Sequence, residues 1–237
     1  MQKSIAKVCK GFSFSGDIAT DAIGLLIHHN RRDVANHVLA VANQAQSLAD
    51  RFNVYKEHAL CAGFLHDISL VVTLSEMLET SIELGLEPIL EERRVPYLIH
   101  GKLSTSIAKM VFGVTNDCLL QAICCHTTLR ANATLLDKVL FIADKLSWEP
   151  DHAPFQHEVI EALGKSLDEA VGCFLTWTWN QRERLEGVHP CIKEAWYEFR
   201  NKGFCKTQDA RRKTDIRLTA RQRLYSFLVF VDTQKKD

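Results

Sequence analysis

The chain has 237 residues, 46% of them hydrophobic, and its 29 basic and 29 acidic side chains cancel. This length can bury one sizeable core, and the balanced charge indicates neither a nucleic acid nor an anionic membrane as a partner. The N-terminal residues lack the apolar core of a signal peptide, and no window approaches the ~18 apolar residues of a membrane span. Eight scattered cysteines without a CxxC motif predict reduced thiols and a cytoplasmic protein.

Apolar residues recur at spacings of three and four, and strand-like alternation is scarce, which predicts an all-α fold. The predicted helices, in chain order, cover residues 18–28, about 33–51, about 56–65, 73–84, 89–94, 102–112, 116–126 and 133–146. Residues 158–185 are predicted to form one long helix or a pair kinked around Gly172. Residues 191–201 are predicted to form a further helix.

We interpret residues 1–200 as one domain, in which the helices beyond about residue 150 pack over or beside the main bundle. From Asn201 to the end, the chain has ten Lys and Arg residues against four Asp and no Glu. Residues 201–237 are therefore predicted to be a basic tail that is poorly ordered or part of an interface. Contact of this tail with nucleic acid or membrane is the less favoured interpretation.

A set of His and Asp residues at predicted helix ends and turns is the most informative pattern in the sequence. Imidazole binds iron, manganese, zinc and related ions, and a carboxylate can bridge two cations with its two oxygens. Asp67 follows His66 directly, so one helix end delivers both ligand types, and Asp67 is the natural bridge. The candidate metal ligands are His37, His66, Asp67, His100, His126 and Asp144.

Two neighbouring cations suit phosphate chemistry, because they bind phosphate oxygens, generate hydroxide from water and stabilise charge in the transition state. Ligands on separate helices are brought together by packing in the interior of a bundle. The pattern therefore predicts a two-metal phosphohydrolase site.

Four segments resemble, in order and spacing, the YqeK-like branch of the HD superfamily. These segments are LCAGFLHDIS, VPYLIHGKLSTSIAKMVFGV, LLQAICCHTTL and LLDKVLFIADK. The resemblance covers roughly residues 15–150. It implies an HD-type helical bundle that binds a di-iron centre and hydrolyses the nucleotide diadenosine tetraphosphate symmetrically to two ADP, by attack of a bridging hydroxide. Manganese, cobalt and zinc are the alternative metals.

Carried over residue by residue, the resemblance implies that His37, His66 and Asp144 bind one metal. His100 and His126 would then bind the other, and Asp67 would bridge both. His37 has an alternative role in an ordinary amphipathic helix. The residues predicted to be catalytic are His66, Asp67, Asp137 and Lys138, the last two plausible supporting or substrate-facing groups in LLDKV.

Candidate phosphate contacts are basic or hydroxyl side chains near these motifs: Lys102, Thr127, Thr128 and Arg130. Solvated surface charges and helix capping are the alternative roles of these residues. The chain departs from the family pattern at three places. Leu70 stands where the family often has a lysine after the HD motif, and Leu129 stands where it often has a glycine after HTT. After IAD the family commonly has a segment that contains glutamate and proline and ends in arginine, whereas this chain has KLSWEPDH.

These departures leave the metal ligands intact, but the substrate is open. A phosphohydrolase acting on another nucleotide or on a phosphomonoester is the alternative enzyme. A nucleotide-sensing module without turnover is the alternative of a different class, which complete metal ligands disfavour. We expect a nucleotide as the partner, no membrane and no nucleic acid, and leave a homodimer open.

Overall fold

The apolar stripes of the sequence fold as helices in the computed structural model, which describes residues 2–149, 153–185 and 187–205. The described residues form twelve α-helices and no strand, which confirms the all-α prediction. The helices are α1 Lys3–Cys9, α2 Ile18–His28, α3 Arg32–Phe52, α4 Lys56–Leu65, α5 Met77–Glu83, α6 Leu90–Arg94, α7 His100–Met110, α8 Asp117–Cys125, α9 Leu135–Leu146, α10 Gln156–Lys165, α11 Leu167–Asn180 and α12 Pro190–Asn201. Short 3-10 turns include η1 Ile68–Val71, η2 Leu74–Glu76 and η3 Pro96–Ile99.

Polar caps set several helix boundaries, because a side-chain oxygen satisfies a backbone N–H that has no partner within the helix. Asp17 accepts from Thr20 N at the start of α2, and Asn116 accepts from Leu119 N at the start of α8. Thr134 caps α9 in a reciprocal capping box with Asp137. The sequence-predicted boundaries of these helices agree with the structure to within two residues.

Two boundary predictions were wrong. The break in the predicted helix over residues 158–185 lies at Ser166, which is extended and caps α11 by accepting from Glu169 N, and not at Gly172. Gly172 lies inside α11, where an added Cβ would come within 2.6 Å of the Phe204 carbonyl oxygen. The predicted helix over residues 73–84 is a 3-10 turn followed by α5, and α1 was not predicted.

Helix α3 is the centre of the bundle and packs along α4 and α9, while α7 and α8 close the other side. The contact of α3 with α4 is close, because a Cβ on Gly63 would lie only 2.4 Å from Ala42 Cα. Only glycine allows this approach. Helices α10 and α11 pack on α9, and α12 packs on α11, so the C-terminal helices lie beside the main bundle.

Asp21 fastens the segment before α2 to that helix. Its carboxylate accepts from Ser15 N, Ser15 Oγ and Gly16 N, each at 2.8 Å. Burial opposes the charged form of Asp21, but these hydrogen bonds outweigh burial and lower its pKa. Because the folded-state pKa lies below the unfolded value, the stabilisation is present above that value and is lost as the pH falls.

We expect Asp21→Asn to lower the free energy of unfolding at pH 7 by about 2 kcal/mol, since charge-assisted hydrogen bonds are lost. The difference from wild type should shrink below about pH 4. Urea unfolding at several pH values measures it. Asp50→Asn, which removes an exposed ion pair with Lys56, is the control and should change stability by less than about 1 kcal/mol. Equal stability of Asp21→Asn and wild type at pH 7 would contradict this role.

Other sequence predictions have different outcomes. None of the eight cysteines, all within the described ranges, forms a disulfide. Among the described residues no single helix is long and apolar enough to cross a membrane. Two consecutive helical segments, Lys56–Val71 and Leu74–Glu83, are long and apolar enough only when taken together, and the chain bends by 86° between them. Asn201 is the last residue of α12, and residues 202–205 follow it. The rest of the predicted tail, residues 206–237, lies outside the described residues.

Candidate metal centre

Two of the predicted ligands, His37 and His66, lie beside one oxygen of Asp67, and Asp144 lies beside the same two histidines. The distances from Asp67 Oδ2 are 3.3 Å to His66 Nε2 and 3.8 Å to His37 Nε2. Asp144 Oδ1 lies 3.1 Å from His37 Nε2 and 3.8 Å from His66 Nε2. We call His37, His66 and Asp144, with Oδ2 of Asp67, the first cluster.

The other oxygen of Asp67 faces the remaining two histidines. Asp67 Oδ1 lies 3.3 Å from His100 Nε2 and 3.5 Å from His126 Nε2. The two Nε2 atoms are 2.9 Å apart. We call His100 and His126, with Oδ1 of Asp67, the second cluster. One carboxylate therefore joins both clusters, each through a different oxygen.

The six side chains come from six helical elements that converge on the interior. His66 ends α4 and Asp67 precedes η1, while His126 ends α8 and His100 begins α7, as expected for ligands at helix ends. His37 and Asp144 depart from that expectation, because they lie within α3 and α9. All six residues are at most 9% exposed.

Three of the histidines are oriented by the same local bond. The Nδ1 atoms of His66, His100 and His126 lie 2.8, 2.6 and 2.8 Å from the backbone carbonyl oxygens three residues earlier. A carbonyl can only accept, so Nδ1 carries a proton in each ring, and in the neutral ring the Nε2 lone pair faces the centre. Histidines that ligate metals are held by such second hydrogen bonds.

The donor set fits metal ions. Lone pairs of two Nε2 atoms face each other at 2.9 Å in the second cluster, which is repulsive unless a cation or a proton lies between them. His66 Nε2 and Asp67 Oδ1 are buried and make no hydrogen bond within the described residues, and such atoms are costly without a partner. Two groups are close enough to hold an ion: His37, His66 and Asp67, and Asp67, His100 and His126.

Electrostatics keep both carboxylates charged and His126 neutral, whereas they favour the protonated form of His66. Burial would raise the pKa values of Asp67 and Asp144, but imidazoles beside Asp67 and the Lys145 ammonium beside Asp144 hold both well below the usual range. Burial lowers the pKa of His126 to about 4, so this ring is neutral at pH 7. Burial also opposes the charged form of His66, but Asp67 outweighs it and raises its pKa.

Four of the predicted catalytic or phosphate-binding residues are paired with other groups. Lys102 Nζ lies 2.8 Å from Glu92, and Lys138 Nζ lies 2.7 Å from Asp168. Arg130 Nη2 lies 2.8 Å from Asp137 Oδ2, and the same Asp137 oxygen accepts from Thr134 N in the cap of α9. The structure therefore places these residues in ion pairs and a helix cap, outside the two clusters.

The two predicted threonines have different places. Thr127 Oγ1 lies 3.0 Å from the Nε2 atoms of both His100 and His126, so this hydroxyl faces the second cluster. Thr128 is 6% exposed and its hydroxyl donates to the Leu129 carbonyl oxygen. Only Thr127 of this pair contacts candidate ligands in the described part of the chain.

Leu129 explains one departure from the family pattern. Its φ is +57°, a left-handed conformation that glycine adopts readily and that costs other residues about 1–2 kcal/mol. The backbone after the HTT motif therefore keeps the conformation for which a glycine is suited. The side chain of Leu129 is fully buried in the core. Burying a leucine side chain stabilises the fold by up to about 3 kcal/mol, which offsets the cost of the backbone conformation.

Four residues beside the clusters were not predicted as site residues. Lys145 Nζ lies 2.6 Å from Asp144 Oδ2, and Trp148 Nε1 donates to Asp144 Oδ1 at 3.2 Å. The Tyr97 ring packs on His100 with centroids 4.4 Å apart. Arg31 Nη1 donates to the Leu70 carbonyl oxygen at 2.5 Å, and Leu70 is three residues after Asp67.

Comparisons with known proteins agree with this geometry. The HD domain family model matches residues 34–149, the stretch that carries all six candidate ligands. A Bacillus subtilis protein named symmetrical bis(5'-nucleosyl)-tetraphosphatase is 30% identical over 136 residues, which are 57% of this chain and 72% of that protein. The chain belongs to the HD-domain family. It is an HD-type phosphohydrolase, as the sequence predicted.

Two further proteins are similar to this chain, and one of them is named as an HD superfamily hydrolase. A Lactococcus lactis subsp. cremoris protein, described as an uncharacterized protein in the pepC 5' region, is 38% identical over 149 residues, or 62% of this chain and 75% of that protein. A crystal structure of a predicted HD superfamily hydrolase involved in NAD metabolism, from Clostridium acetobutylicum, is 28% identical with a TM-score of 0.70. The structural match covers 81% of this chain and 100% of the Clostridium acetobutylicum chain. The likeness therefore extends beyond the HD domain match into the C-terminal helices.

Proposed function

We propose that this HD-type phosphohydrolase hydrolyses diadenosine tetraphosphate symmetrically to two ADP at a two-metal centre. The relative from Bacillus subtilis that carries the corresponding name supports this substrate. A Staphylococcus aureus protein with the same name, 32% identical over 111 residues, supports it too, although the chain covers 56% of that relative. Because both relatives match only part of this chain, we propose their substrate for this chain and do not transfer it as established.

The position of Asp67 carries the mechanism. Its two oxygens face two different sets of imidazole nitrogens at 3.3–3.8 Å. His37, His66 and Asp144 would hold one cation, His100 and His126 the other, and Asp67 both. The two cations supply charge neutralisation of phosphate oxygens and activation of water. Iron is the proposed metal, and manganese, cobalt or zinc suit the same nitrogen and oxygen donors.

The chain's own residues keep the centre ready for a substrate. Backbone carbonyl groups hold a proton at Nδ1 of three imidazoles, so each of these rings, when neutral, has its Nε2 lone pair available to ligate. Thr127 places a hydroxyl beside the second cluster, where it can donate to a phosphate oxygen. We assign no catalytic step to Asp137 or Lys138, because their charged groups are engaged by Arg130 and Asp168.

Arg31 is the cation that we propose for the substrate's phosphates. Its Nη1 contacts the backbone at Leu70, where the family often has a lysine, so a positive charge reaches the same turn from the residue before α3. Its Nε lies 3.5 Å from the exposed carboxylate of Asp33, an ion pair in which water competes. Burial, Asp67 and Asp144 raise the pKa of Tyr97 well above its usual value, and the charge of Arg31 opposes this shift, which supports a place for Arg31 near Tyr97. Arginine also grips two phosphate oxygens at once.

We expect Arg31→Gln to raise the KM for diadenosine tetraphosphate about tenfold, since one charge-assisted contact is lost. The metal content should not change. Arg51→Gln is the matched control, because Arg51 also donates to a backbone carbonyl, that of Leu163, but at the other end of α3. Steady-state kinetics of both variants measure the effect, and an unchanged KM for Arg31→Gln would refute the assignment.

Product analysis tests the proposed reaction. The purified protein, loaded with iron or manganese, is incubated with diadenosine tetraphosphate, and the nucleotides are separated by chromatography. ADP alone supports symmetrical cleavage, whereas ATP plus AMP contradicts it. Two bound metals without product overturn this substrate and favour another nucleotide or a phosphomonoester, which a substrate screen identifies. Bound metals with no turnover of any phosphate ester or anhydride favour a nucleotide-sensing module.

A further inference from the structure

Lys145 is a buried cation in the interior of the bundle. The residue is 1% exposed, and its ammonium group lies over the rings of Phe141, Trp148 and Phe174 at 4.8, 5.5 and 5.5 Å from their centroids. Burying a charge is costly unless the charge is paired and hydrogen-bonded. An apolar side chain such as methionine suits these aromatic surroundings equally well, so packing alone does not account for a lysine here.

The hydrogen bonds of Lys145 connect the two halves of the candidate centre. Its Nζ lies 2.6 Å from Asp144 Oδ2, which belongs to the first cluster. The same Nζ donates to the backbone carbonyl oxygen of His126 at 3.1 Å, and His126 belongs to the second cluster. One ammonium group thus holds α9 and the end of α8 together directly behind the ligands.

The contacts of Asp144 are divided between its two oxygens. Oδ2 is taken by Lys145, while Oδ1 faces His37 and accepts from Trp148 Nε1 at 3.2 Å. Lys145 and Trp148 therefore fix the plane of the carboxylate from two sides. Only Oδ1 is directed at the first cluster, which makes Asp144 a ligand with a single oxygen.

We propose that Lys145 is a positioning residue of the metal centre, which directs one oxygen of Asp144 into the first cluster and fixes the His126 backbone of the second. Its ammonium group also offsets part of the negative charge that Asp67 and Asp144 bring into the interior. Because it touches both halves, its loss should weaken the binding of both cations. This inference rests on the metal centre of the proposed function and not on the identity of the substrate.

Manganese binding to Lys145→Met tests the inference without any activity measurement. Chelator-treated protein is titrated with Mn²⁺, and free Mn²⁺ is followed by electron paramagnetic resonance, which gives the number of sites and their affinities. We expect both binding steps to weaken about tenfold or more, as for other residues that orient metal ligands. Lys109→Met, which changes an exposed lysine of α7, is the control and should bind like wild type.

A merely structural role gives a different result. In that case Lys145→Met unfolds at a lower temperature but, while folded, binds two Mn²⁺ ions with the affinities of wild type, and this outcome would overturn the inference alone. A wild-type protein that binds no Mn²⁺, Fe²⁺ or Zn²⁺ would overturn the proposed metal centre, and the role of Lys145 with it. Circular dichroism establishes that each variant is folded before titration.

Lys145→Gln keeps the test decisive if the methionine variant fails to fold. Its amide lacks the positive charge and is shorter than the lysine side chain, so it cannot reproduce both hydrogen bonds of Nζ, to Asp144 Oδ2 and to the His126 carbonyl oxygen. At least one of the two binding steps should therefore weaken. Equal affinities for both steps in Lys145→Gln and wild type would contradict the coupling of the two clusters.

Discussion

Replacing Asp67 with alanine is expected to remove both metal ions and to lower turnover of the substrate at least about a thousandfold, or about 4 kcal/mol of transition-state stabilisation. The reason is the division of its two oxygens between the clusters, at 3.3 Å from His66 Nε2 and 3.3 Å from His100 Nε2. Asp144, the other carboxylate among the candidate ligands, lies beside the imidazoles of His37 and His66 in the first cluster. Metal analysis of the purified variant and its kcat provide the measurement.

Asp144→Ala is the matched comparison, because it removes a buried carboxylate that belongs to the first cluster alone. We expect this variant to lose affinity mainly for one metal ion and to retain His100, His126 and Asp67 as ligands of the other. Asp67→Ala should lose both. Turnover retained in Asp67→Ala, or identical metal content in the two variants, would refute the bridging role of Asp67.

The convergence of five candidate ligands was predictable because His66, Asp67, His100, His126 and Asp144 stand in the segments that resemble the family, whereas His37 lies outside them. His66 and Asp67 are adjacent, and His126 opens the HTT segment, so the order of residues carried the information without knowledge of helix packing. The structure brings these residues together, and the family match over residues 34–149 agrees with their assignment. The ligand roles themselves remain predictions until metal binding is measured.

The supporting residues were not predictable in the same way. Lys145 is one of many lysines in the sequence, and only the packing of α8 against α9 shows that its charge is buried. Arg31 precedes α3 and acts at Leu70, which is 39 positions away. Burial and long-range contacts are properties of the folded chain, and no local pattern reports them.

Asp137 shows a signal that was present but was interpreted differently. Thr134 and Asp137 have the spacing of a capping box at the start of α9, and the structure contains this cap. The motif LLDKV suggested a functional Asp and Lys instead. A similar local signal, Ser166 three residues before Glu169, marks the boundary of α10 and α11 that was expected near Gly172.

Gly101→Ala is expected to disrupt the second cluster selectively. An added Cβ would lie 2.5 Å from the Cys124 carbonyl oxygen and 3.4 Å from that of Ile123. These are backbone atoms, so α7 and α8 must move apart. The Ile123 carbonyl also accepts the Nδ1 proton of His126, and His100 precedes Gly101 directly. The separation therefore affects both histidines of the cluster.

We expect Gly101→Ala to lower stability by about 1–3 kcal/mol, as overpacking does, and to weaken binding of one metal ion about tenfold or more. Gly164→Ala is the control, because Gly164 lies in α10 with no atom within 4 Å of an added Cβ. Alanine favours helix by about 1 kcal/mol over glycine, so this control should be neutral or stabilised. Thermal unfolding and Mn²⁺ titration of both variants separate the effects. If Gly101→Ala were as stable as Gly164→Ala and bound both ions, close approach of α7 to α8 would not be required for the second cluster.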